Sequence, residues 1–233
     1  MLGIVVSLSW ELKSLTRQTI PVGSWRSIAD NVMVALSGIG AERAYTAGSL
    51  LIAEGATALV SWGFAAALDH RLNAGSLILP EHIIGASGEI HAVNLEWHRR
   101  LCQSLSSQRA VHTNALVESD EIVRTPAEKR ALAKRTQAIA TDMESAAQAR
   151  LAGEHRLPFV ALRAIIDTAS TDIPEKLLRA LDSEGDISVW KLLIRGYLRP
   201  PVWFKILQLG IQFNAAQRAL KKTRKLVLDS PRF

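Results

Sequence analysis

Six short apolar segments, separated by stretches of helical character, determine what this chain can fold into. The segments are GIVVSL (3–8), VMVALS (32–37), ALVSWG (58–63), SLILP (76–80), TNALVES (113–119) and PFVALRAII (158–166). Several carry apolar residues at consecutive positions, which is typical of strands buried on both faces. Helical patterns occupy residues 41–55, 127–137 and 142–155. The alternation predicts a single α/β domain of three layers, a mixed central sheet flanked by helices, with right-handed crossovers.

Composition narrows the class of protein further. The chain has 233 residues, of which 48% are hydrophobic and 21% charged, and this excludes a disordered protein. The one cysteine, Cys102, excludes an internal disulfide framework and a cysteine-rich zinc site. The histidines show no metal-ligand spacing, so we expect no metal. The start, MLGIVVSLSWELK, is interpreted as a buried strand rather than a signal peptide, and we expect a cytoplasmic protein.

The C-terminal part has a different composition, and we divide the chain into a domain at 1–184 and a helical extension at 185–233. DISVWKLLIRGYL predicts an amphipathic helix that the following RPP breaks. VWFKILQLGIQF then places Lys205, Gln208 and Gln212 on one narrow polar stripe. Such a helix either packs on the core or on a subunit partner, or lies in a membrane surface.

The positive charge of the chain indicates a partner. The net charge is +6, and a dense basic group, RALKKTRK, occupies 218–225 directly behind the apolar segment. That arrangement suits an anionic membrane surface, at the inner face of the cytoplasmic membrane, at least as well as a nucleic acid. Of the two, we expect the membrane surface and no nucleic-acid partner.

Polar residues and glycines follow several of the predicted strands. Because ligands bind outside the carboxyl ends of strands in such sheets, we expect these residues to meet at one rim. They are Glu11, GIG (38–40), GFAAA (63–67), ESDEIV (118–123) and Asp167. An acid at the end of a buried strand has a raised pKa and can protonate a leaving group, while Glu11 can activate a water. The amides of Gly38 and Gly40, ahead of a helix, suit an anion or a sugar.

ATDMESAAQAR (140–150) admits two interpretations. Thr141 followed three residues later by Glu144 has the pattern of a capping box, in which each side chain binds a free backbone N–H. Alternatively, Glu144 accepts hydrogen bonds from paired hydroxyl groups of a substrate.

Two long segments, 37–81 and 140–170, resemble the superfamily of purine nucleoside phosphorylases and methylthioadenosine nucleosidases. The similarity rests on the Gly-Ile-Gly turn, the glycine-containing GFAAA segment, the Met143–Glu144 pair and the strand end RAIID (163–167), and it extends to about residue 172. The resemblance implies that Glu144 holds the ribose 2′- and 3′-hydroxyls, with Met143 packed against the sugar. It favours this role of Glu144 over helix capping.

The same resemblance implies the remaining roles. Asp167 would donate a proton to N7 of the departing purine, and Glu11 would activate water. Arg163 would support the sugar and the nucleophile, and the backbone of Val123 would recognise the adenine edge. Carboxylates beside the sugar and an acid at the base suit an oxocarbenium-like transition state. The superfamily also implies a homodimer.

The chain departs from the family pattern at two positions. Phe64 stands where a small hydroxyl residue contacts the nucleophile or phosphate, and Ile166 replaces the serine before Asp167. A phosphorylase needs cationic phosphate ligands, for which Arg43 and Arg163 are candidates, together with the amide of Gly40. Hydrolysis and phosphorolysis both stay open, with phosphate as a possible co-substrate and no other cofactor.

Within the superfamily, the chain most resembles the hopanoid-associated phosphorylases, which remove adenine from adenosylhopane. This implies an adenosine-type nucleoside carrying a lipid, cleaved at a membrane to which the C-terminal segment docks. Two alternatives stay open. One is a soluble nucleosidase or phosphorylase for methylthioadenosine or purine nucleosides, and the other is a non-catalytic nucleoside-binding protein.

Overall fold

The computed structural model describes residues 1–106, 110–173 and 200–229, and in the last range it describes side chains from Leu207 onward. The strands are β1 (Leu2–Val6), β2 (Ser24–Ala29), β3 (Val32–Leu36), β4 (Ala58–Ala67), β5 (Leu77–Ile78), β6 (His82–Ile84), β7 (Ile90–Ala92), β8 (Val111–His112), β9 (Leu116–Glu118), β10 (Ala140–Asp142) and β11 (Phe159–Asp167). The helices are α1 (Ser9–Leu15), α2 (Ala41–Ala53), α3 (Leu95–Ser106), α4 (Pro126–Thr136), α5 (Ser145–Glu154) and α6 (Pro200–Leu228).

One mixed sheet forms the centre of the molecule. Its strand order is β2-β3-β1-β4-β10-β9-β6-β7, and β11 pairs with both β4 and β5. The pairs β1–β3, β1–β4 and β4–β11 are parallel, whereas β10 runs antiparallel to β4. The parallel strands are buried along almost their whole length, as expected for strands covered on both faces.

Helices cover the sheet on both sides. Apolar residues of α1, α3 and α6 share one core cluster with the sheet, and those of α2 and α5 share the other. Helix α4 packs over a smaller cluster next to β9. The predicted three-layer α/β domain with a mixed sheet is confirmed. Across the described ranges, no helix is both long enough and apolar enough to cross a bilayer.

The capping-box interpretation of Thr141 and Glu144, which the resemblance did not favour, is wrong. Thr141 is buried in β10, and helix α5 begins only at Ser145, with Glu144 at its N-cap position but without a side-chain cap bond. Asp142 takes that place, since its Oδ1 accepts from the backbone N–H groups of Glu144 at 3.4 Å and Ser145 at 3.3 Å. The carboxylate of Glu144 is therefore not engaged in capping α5.

Strand β4 is longer than predicted. It continues to Ala67, so GFAAA (63–67) lies within the strand rather than after it. The extension is stabilised by β11, whose residues pair in parallel with β4 from Phe159 to Asp167. Gly63 and Phe64 are therefore held on a central strand of the sheet.

Helix α6 packs on the domain through its inner face, as the packing interpretation expects. Its first residues, Pro200 and Pro201, suit a helix start because the first turn needs no N–H donors. Ala216, Leu220 and Val227 are fully buried in the core cluster that contains α1 and α3. The predicted boundary between 184 and 185 and the predicted helix at 186–198 lie outside the described residues.

The predicted polar stripe of α6 does not face water as one surface. Gln212 is buried, and its Nε2 donates to Thr171 Oγ1 at 3.3 Å, whereas Gln208 is exposed. Leu207 and Ile211 are instead 62% and 63% exposed. The side chain of Lys205 lies outside the described residues. Between Leu207 and Gln212, α6 thus turns a glutamine towards the domain and apolar residues towards solvent.

Candidate active site

Strand ends bring the predicted site residues together at one rim of the sheet. Glu11 lies in α1 directly after β1, and the Gly38–Gly40 turn connects β3 to α2. Glu144 follows β10, and Asp167 is the last residue of β11. Because β1, β3, β4 and β11 run parallel, their carboxyl ends lie at the same edge.

The carboxylate of Glu11 is buried and held by backbone amides. Its Oε1 accepts from the N–H of Phe64 at 2.7 Å, and its Oε2 accepts from the N–H groups of Ser7 at 2.8 Å and Leu8 at 3.0 Å. Burial raises the pKa of Glu11, and Arg163 and these amides oppose that rise. A raised pKa gives a carboxylate the basicity that a general base requires.

Gly63 makes room for this carboxylate. A Cβ at position 63 would overlap with Oε1 of Glu11 and crowd its Oε2 at 3.0 Å. Only glycine lets Glu11 approach the strand closely enough to reach the amide of Phe64. The pair Glu11 and Gly63 is therefore one packing unit.

Arg163 is enclosed rather than extended towards a ligand. Its Nε donates to Asp142 Oδ2 at 2.6 Å, and one terminal nitrogen donates to Ser61 Oγ at 2.6 Å and Ser145 Oγ at 2.8 Å. Burial works against its charge, but Asp142, Glu11 and Glu144 outweigh burial, so the pKa of Arg163 is raised. The side chain is 2% exposed and acts as the counter-charge of the surrounding acids.

Glu144 reaches across the rim to the glycine turn. Its Oε1 accepts from the backbone N–H of Gly40 at 2.9 Å, and its Oε2 from that of Met143 at 3.2 Å. Burial, followed by the nearby Asp142 and Glu11, raises the pKa of Glu144 to about 8. Its two oxygens can accept hydrogen bonds from hydroxyl groups, and in the protonated form the carboxyl group can also donate one.

Asp167 has a partner that the sequence did not reveal. The Nζ of Lys129, from α4, donates to its Oδ2, and Lys129 is fully buried. Burial raises the pKa of Asp167, and Lys129 opposes this rise. A bulge precedes the acid, because Ile166 and Asp167 together oppose Ala66 of β4. Bulges re-aim side chains next to active sites, and here Ile166 is the inserted residue.

Aromatic side chains adjoin Glu11. Phe213 of α6 lies 5.3 Å from Trp10 and 5.7 Å from Phe64, measured between ring centroids. Gln217 Nε2 donates to the carbonyl of Trp10 at 3.0 Å and fixes α6 against α1. Helix α6 thus supplies part of the apolar wall beside the rim.

The other predicted ligand residues lie at the margin of the rim. Val123 is half-buried in the loop between β9 and α4, where it packs on the cluster that includes Leu68 and Val117. Arg43 is exposed, with its guanidinium directly over Gly38. The roles of Val123, Met143, Arg43 and Gly40 in binding stay predictions. No group of three or more His, Cys, Asp or Glu side chains within the described ranges could hold a metal ion.

Comparison with known proteins identifies the family and the fold. The family model of the phosphorylase superfamily matches residues 2–187. No curated protein sequence is significantly similar to the chain.

Solved structures with this fold include nucleosidases and hydrolases. The 5′-methylthioadenosine/S-adenosylhomocysteine nucleosidase of Helicobacter pylori has a TM-score of 0.72 and 16% identity, over 98% of this chain and 96% of that chain. Futalosine hydrolase of Helicobacter pylori has a TM-score of 0.71 and 16% identity, with the same coverage of 98% and 96%. The methylthioadenosine/S-adenosylhomocysteine nucleosidase of Neisseria meningitidis has a TM-score of 0.67 and 18% identity, over 96% of both chains. The chain therefore belongs to the phosphorylase superfamily, and the expected enzyme class of nucleoside phosphorylases and nucleosidases is confirmed.

Proposed function

We propose that the protein cleaves the N-glycosidic bond of an adenosine-type nucleoside with water as the nucleophile and releases adenine. One observation carries this proposal: the buried acids Glu11 and Glu144 lie together at the rim, and a third buried acid, Asp167, ends the neighbouring strand. Acids beside the sugar and an acid at the base are what an oxocarbenium-like transition state requires.

In the proposed reaction, Asp167 acts on the purine base, and Glu11 and Glu144 act on the water and the sugar. The carboxyl of Asp167 gives its proton to N7 of the purine while the C1′–N9 bond breaks and its electron pair moves to the base. A water attacks C1′ and passes a proton to Glu11. Glu144 holds the ribose hydroxyls, and Arg163 balances the acids around it. Glu11 then loses its proton to solvent and Asp167 regains one, so the sum of the reaction is hydrolysis.

The charges at the rim favour water over phosphate as the nucleophile. Arg163 is committed to Asp142, Ser61 and Ser145, and the amide of Gly40 is occupied by Glu144. Arg43 remains as an exposed cation, whereas the buried carboxylate of Glu11 would repel a phosphate dianion.

The lipid-linked substrate that the sequence indicates, adenosylhopane, is supported by the apolar surroundings of Glu11. Trp10 and Phe213 are only half-buried, and with Phe64 they form an aromatic wall beside Glu11. Such a wall suits an apolar 5′ substituent. The alternative substrate, methylthioadenosine, also carries an apolar 5′ group and is supported by the similarity to nucleosidases.

The deciding experiment measures adenine release by full-length protein from adenosylhopane in vesicles and from methylthioadenosine, each with and without phosphate. We expect release from both without phosphate, with free ribosyl product. Phosphate-dependent release of a phosphoribosyl product would replace hydrolysis by phosphorolysis. Cleavage of methylthioadenosine but not of adenosylhopane would contradict the lipid-linked substrate. Binding of either nucleoside without cleavage would favour a non-catalytic nucleoside-binding protein.

A continuous outward face of α6 supports membrane docking. Leu207 and Ile211 are exposed in its first half, and the basic residues of its second half lie on the same side at spacings of three and four. These exposed basic residues are Arg218, Lys221, Lys222 and Lys225. We define these six residues as the outward face of α6. An apolar surface followed by a cationic one matches the two layers of an anionic membrane surface.

Charge reversal on the outward face tests this docking. With Lys221→Glu and Lys225→Glu, binding to phosphatidylglycerol vesicles should weaken by about 30-fold or more, because each basic residue contributes roughly 1 kcal/mol near an anionic surface. Co-sedimentation with phosphatidylglycerol and phosphatidylcholine vesicles measures it. Lys134→Glu with Arg135→Glu, two exposed residues of α4, makes the same charge change as a control. If both double variants lose vesicle binding equally, the effect is one of net charge alone, and the outward face of α6 is not the docking surface.

Removing the helix is not a suitable test, because its inner face is part of the core. Leu207→Ser with Ile211→Ser is the complementary change, and it should weaken binding without altering the thermal unfolding midpoint. A homodimer, a cytoplasmic location and the absence of a nucleic-acid partner stay predictions.

A further inference from the structure

We propose that Lys129 is a positioning residue that orients Asp167 and supports it as the acid of base release. This role rests on the proposed function, since it is defined by what Asp167 does. It assigns a function to a residue of α4 that lies 38 positions before Asp167 in the chain.

The ammonium group of Lys129 is saturated within the protein. Beyond Asp167 Oδ2, its Nζ donates to the carbonyl oxygens of Thr168 at 2.7 Å and Thr171 at 3.1 Å. An ammonium has three donors, so these contacts satisfy it without water. The lysine therefore fixes both the acid and the turn that follows it, and with respect to the described residues Oδ1 of Asp167 is left for the base.

The surroundings of Lys129 hold it in place. It lies one turn into α4, where the capping box of Thr125 and Glu128 fixes the helix start. The backbone N–H of Ile173 donates to the carbonyl of Arg124 at 3.2 Å, which ties the end of the same turn to the start of α4. An unpaired buried ammonium is costly, so the pairing with Asp167 is maintained.

Lys129 is the charged group that acts on Asp167. Within the described part of the chain, the acids Glu11, Asp142 and Glu144 act on one another and on Arg163, and none of the four contributes to the pKa of Asp167. Helix α4 supplies the lysine, whereas β4 opposes Asp167 with Ala66. Among the described residues, the groups that set the ionisation of Asp167 are thus its buried surroundings and Lys129.

The chemical consequence concerns the proton donated to N7. As the proton leaves Asp167, a carboxylate forms in a buried place, and the adjacent ammonium stabilises it. Without Lys129 the same acid would keep its proton more tightly and donate it more slowly. A nearby opposite charge lowers the pKa of an acid by about 1–3 units.

The test compares Lys129→Met, Lys129→Arg and the control Lys134→Met, an exposed lysine of the same helix, in the full-length protein. Adenine release from methylthioadenosine gives kcat/KM from about pH 5 to about pH 9, and p-nitrophenyl riboside is the second substrate. In Lys129→Met, adenine release should fall about tenfold or more. The fall of kcat/KM at high pH, which we call the basic limb of the profile, should move up by about 1–3 pH units. Lys129→Arg keeps a positive charge at this position, so its basic limb should lie close to that of the wild-type protein.

The second substrate separates this role from a structural one. The nitrophenolate leaves without a proton, so Lys129→Met should cleave p-nitrophenyl riboside at nearly the wild-type rate. Equal losses on both substrates with an unmoved limb would make Lys129 merely structural and overturn the inference. If Lys129→Met is poorly folded, Lys129→Met with Asp167→Asn removes both charges, and it should match the profile of Asp167→Asn alone. Wild-type protein that releases no adenine would instead overturn the proposed function itself.

Discussion

Replacement of Asp167 by asparagine should lower the rate of adenine release by about 10²–10⁴-fold, the usual contribution of a general acid. Asparagine keeps the size of the side chain and an oxygen that can accept from Lys129, but it has no proton to give to N7. Single-turnover measurement of adenine release, at a protein concentration above the dissociation constant, gives the chemical rate directly.

The pH dependence provides a second readout of Asp167. Because its pKa is raised by burial, the acid form persists to higher pH than in an ordinary aspartate, and activity should fall as pH rises through that pKa. This basic limb should be absent from Asp167→Asn. Cleavage of p-nitrophenyl riboside should change little, since its leaving group needs no proton. An unchanged rate of adenine release would remove Asp167 from the chemistry.

Glu11→Gln should lower the hydrolytic rate by a similar factor, about 10²–10⁴-fold, through loss of the base that activates water. The wild-type activity should also fall as pH drops through the raised pKa of Glu11, because the protonated carboxyl cannot accept a proton. This acidic limb should disappear in the variant. Retained phosphate-dependent cleavage by Glu11→Gln would instead show that phosphate, not water, is the nucleophile.

The same substitution has a stability cost that can be controlled for. Glutamine accepts hydrogen bonds at one oxygen only, so at least one of the three amides that bind Glu11 loses its acceptor, at about 1–3 kcal/mol. Glu118→Gln is a matched control, since Glu118 is also buried, has a pKa raised by burial, and accepts from the backbone N–H of Ala147 at 3.0 Å. We expect Glu118→Gln to lose stability but to retain its rate.

The sequence predicted the rim because strand ends leave a local signal. Apolar strands followed by an acid or by glycines mark the carboxyl edge of a parallel sheet, and Glu11, Gly40 and Asp167 all lie there. Glu144 follows β10, which runs antiparallel to β4, so this signal does not account for it. The raised pKa of Asp167 followed from the same pattern, since an acid that ends a buried strand is itself buried.

The partners of these residues had no such signal. Lys129 occupies an ordinary position in a basic helix, and only the tertiary structure places it against Asp167. The bulge at Ile166 depends on pairing with β4, and the enclosure of Arg163 depends on Ser61, 102 residues away in the chain. Helix α1 has seven residues, too few for a helical period to be recognised.

The orientation of α6 shows why amphipathic patterns mislead near a site. A stripe of polar residues predicts the solvent side of a helix when the inner face meets only apolar groups. Here the inner face meets Thr171 and the carbonyl of Trp10, so Gln212 and Gln217 turn inwards. The solvent side of α6 in this region is instead formed by Leu207 and Ile211.

The shared space of Glu11 and Gly63 has a consequence for the evolution of this enzyme. Any relative with a side chain at position 63 has no room for a carboxylate in the place that Glu11 occupies, so the two positions must change together. A glycine-to-alanine replacement would therefore be tolerated only in lineages that had already abandoned the glutamate. Among relatives of this chain, the identity of position 63 should distinguish members that can activate water in this way from those that must use another nucleophile.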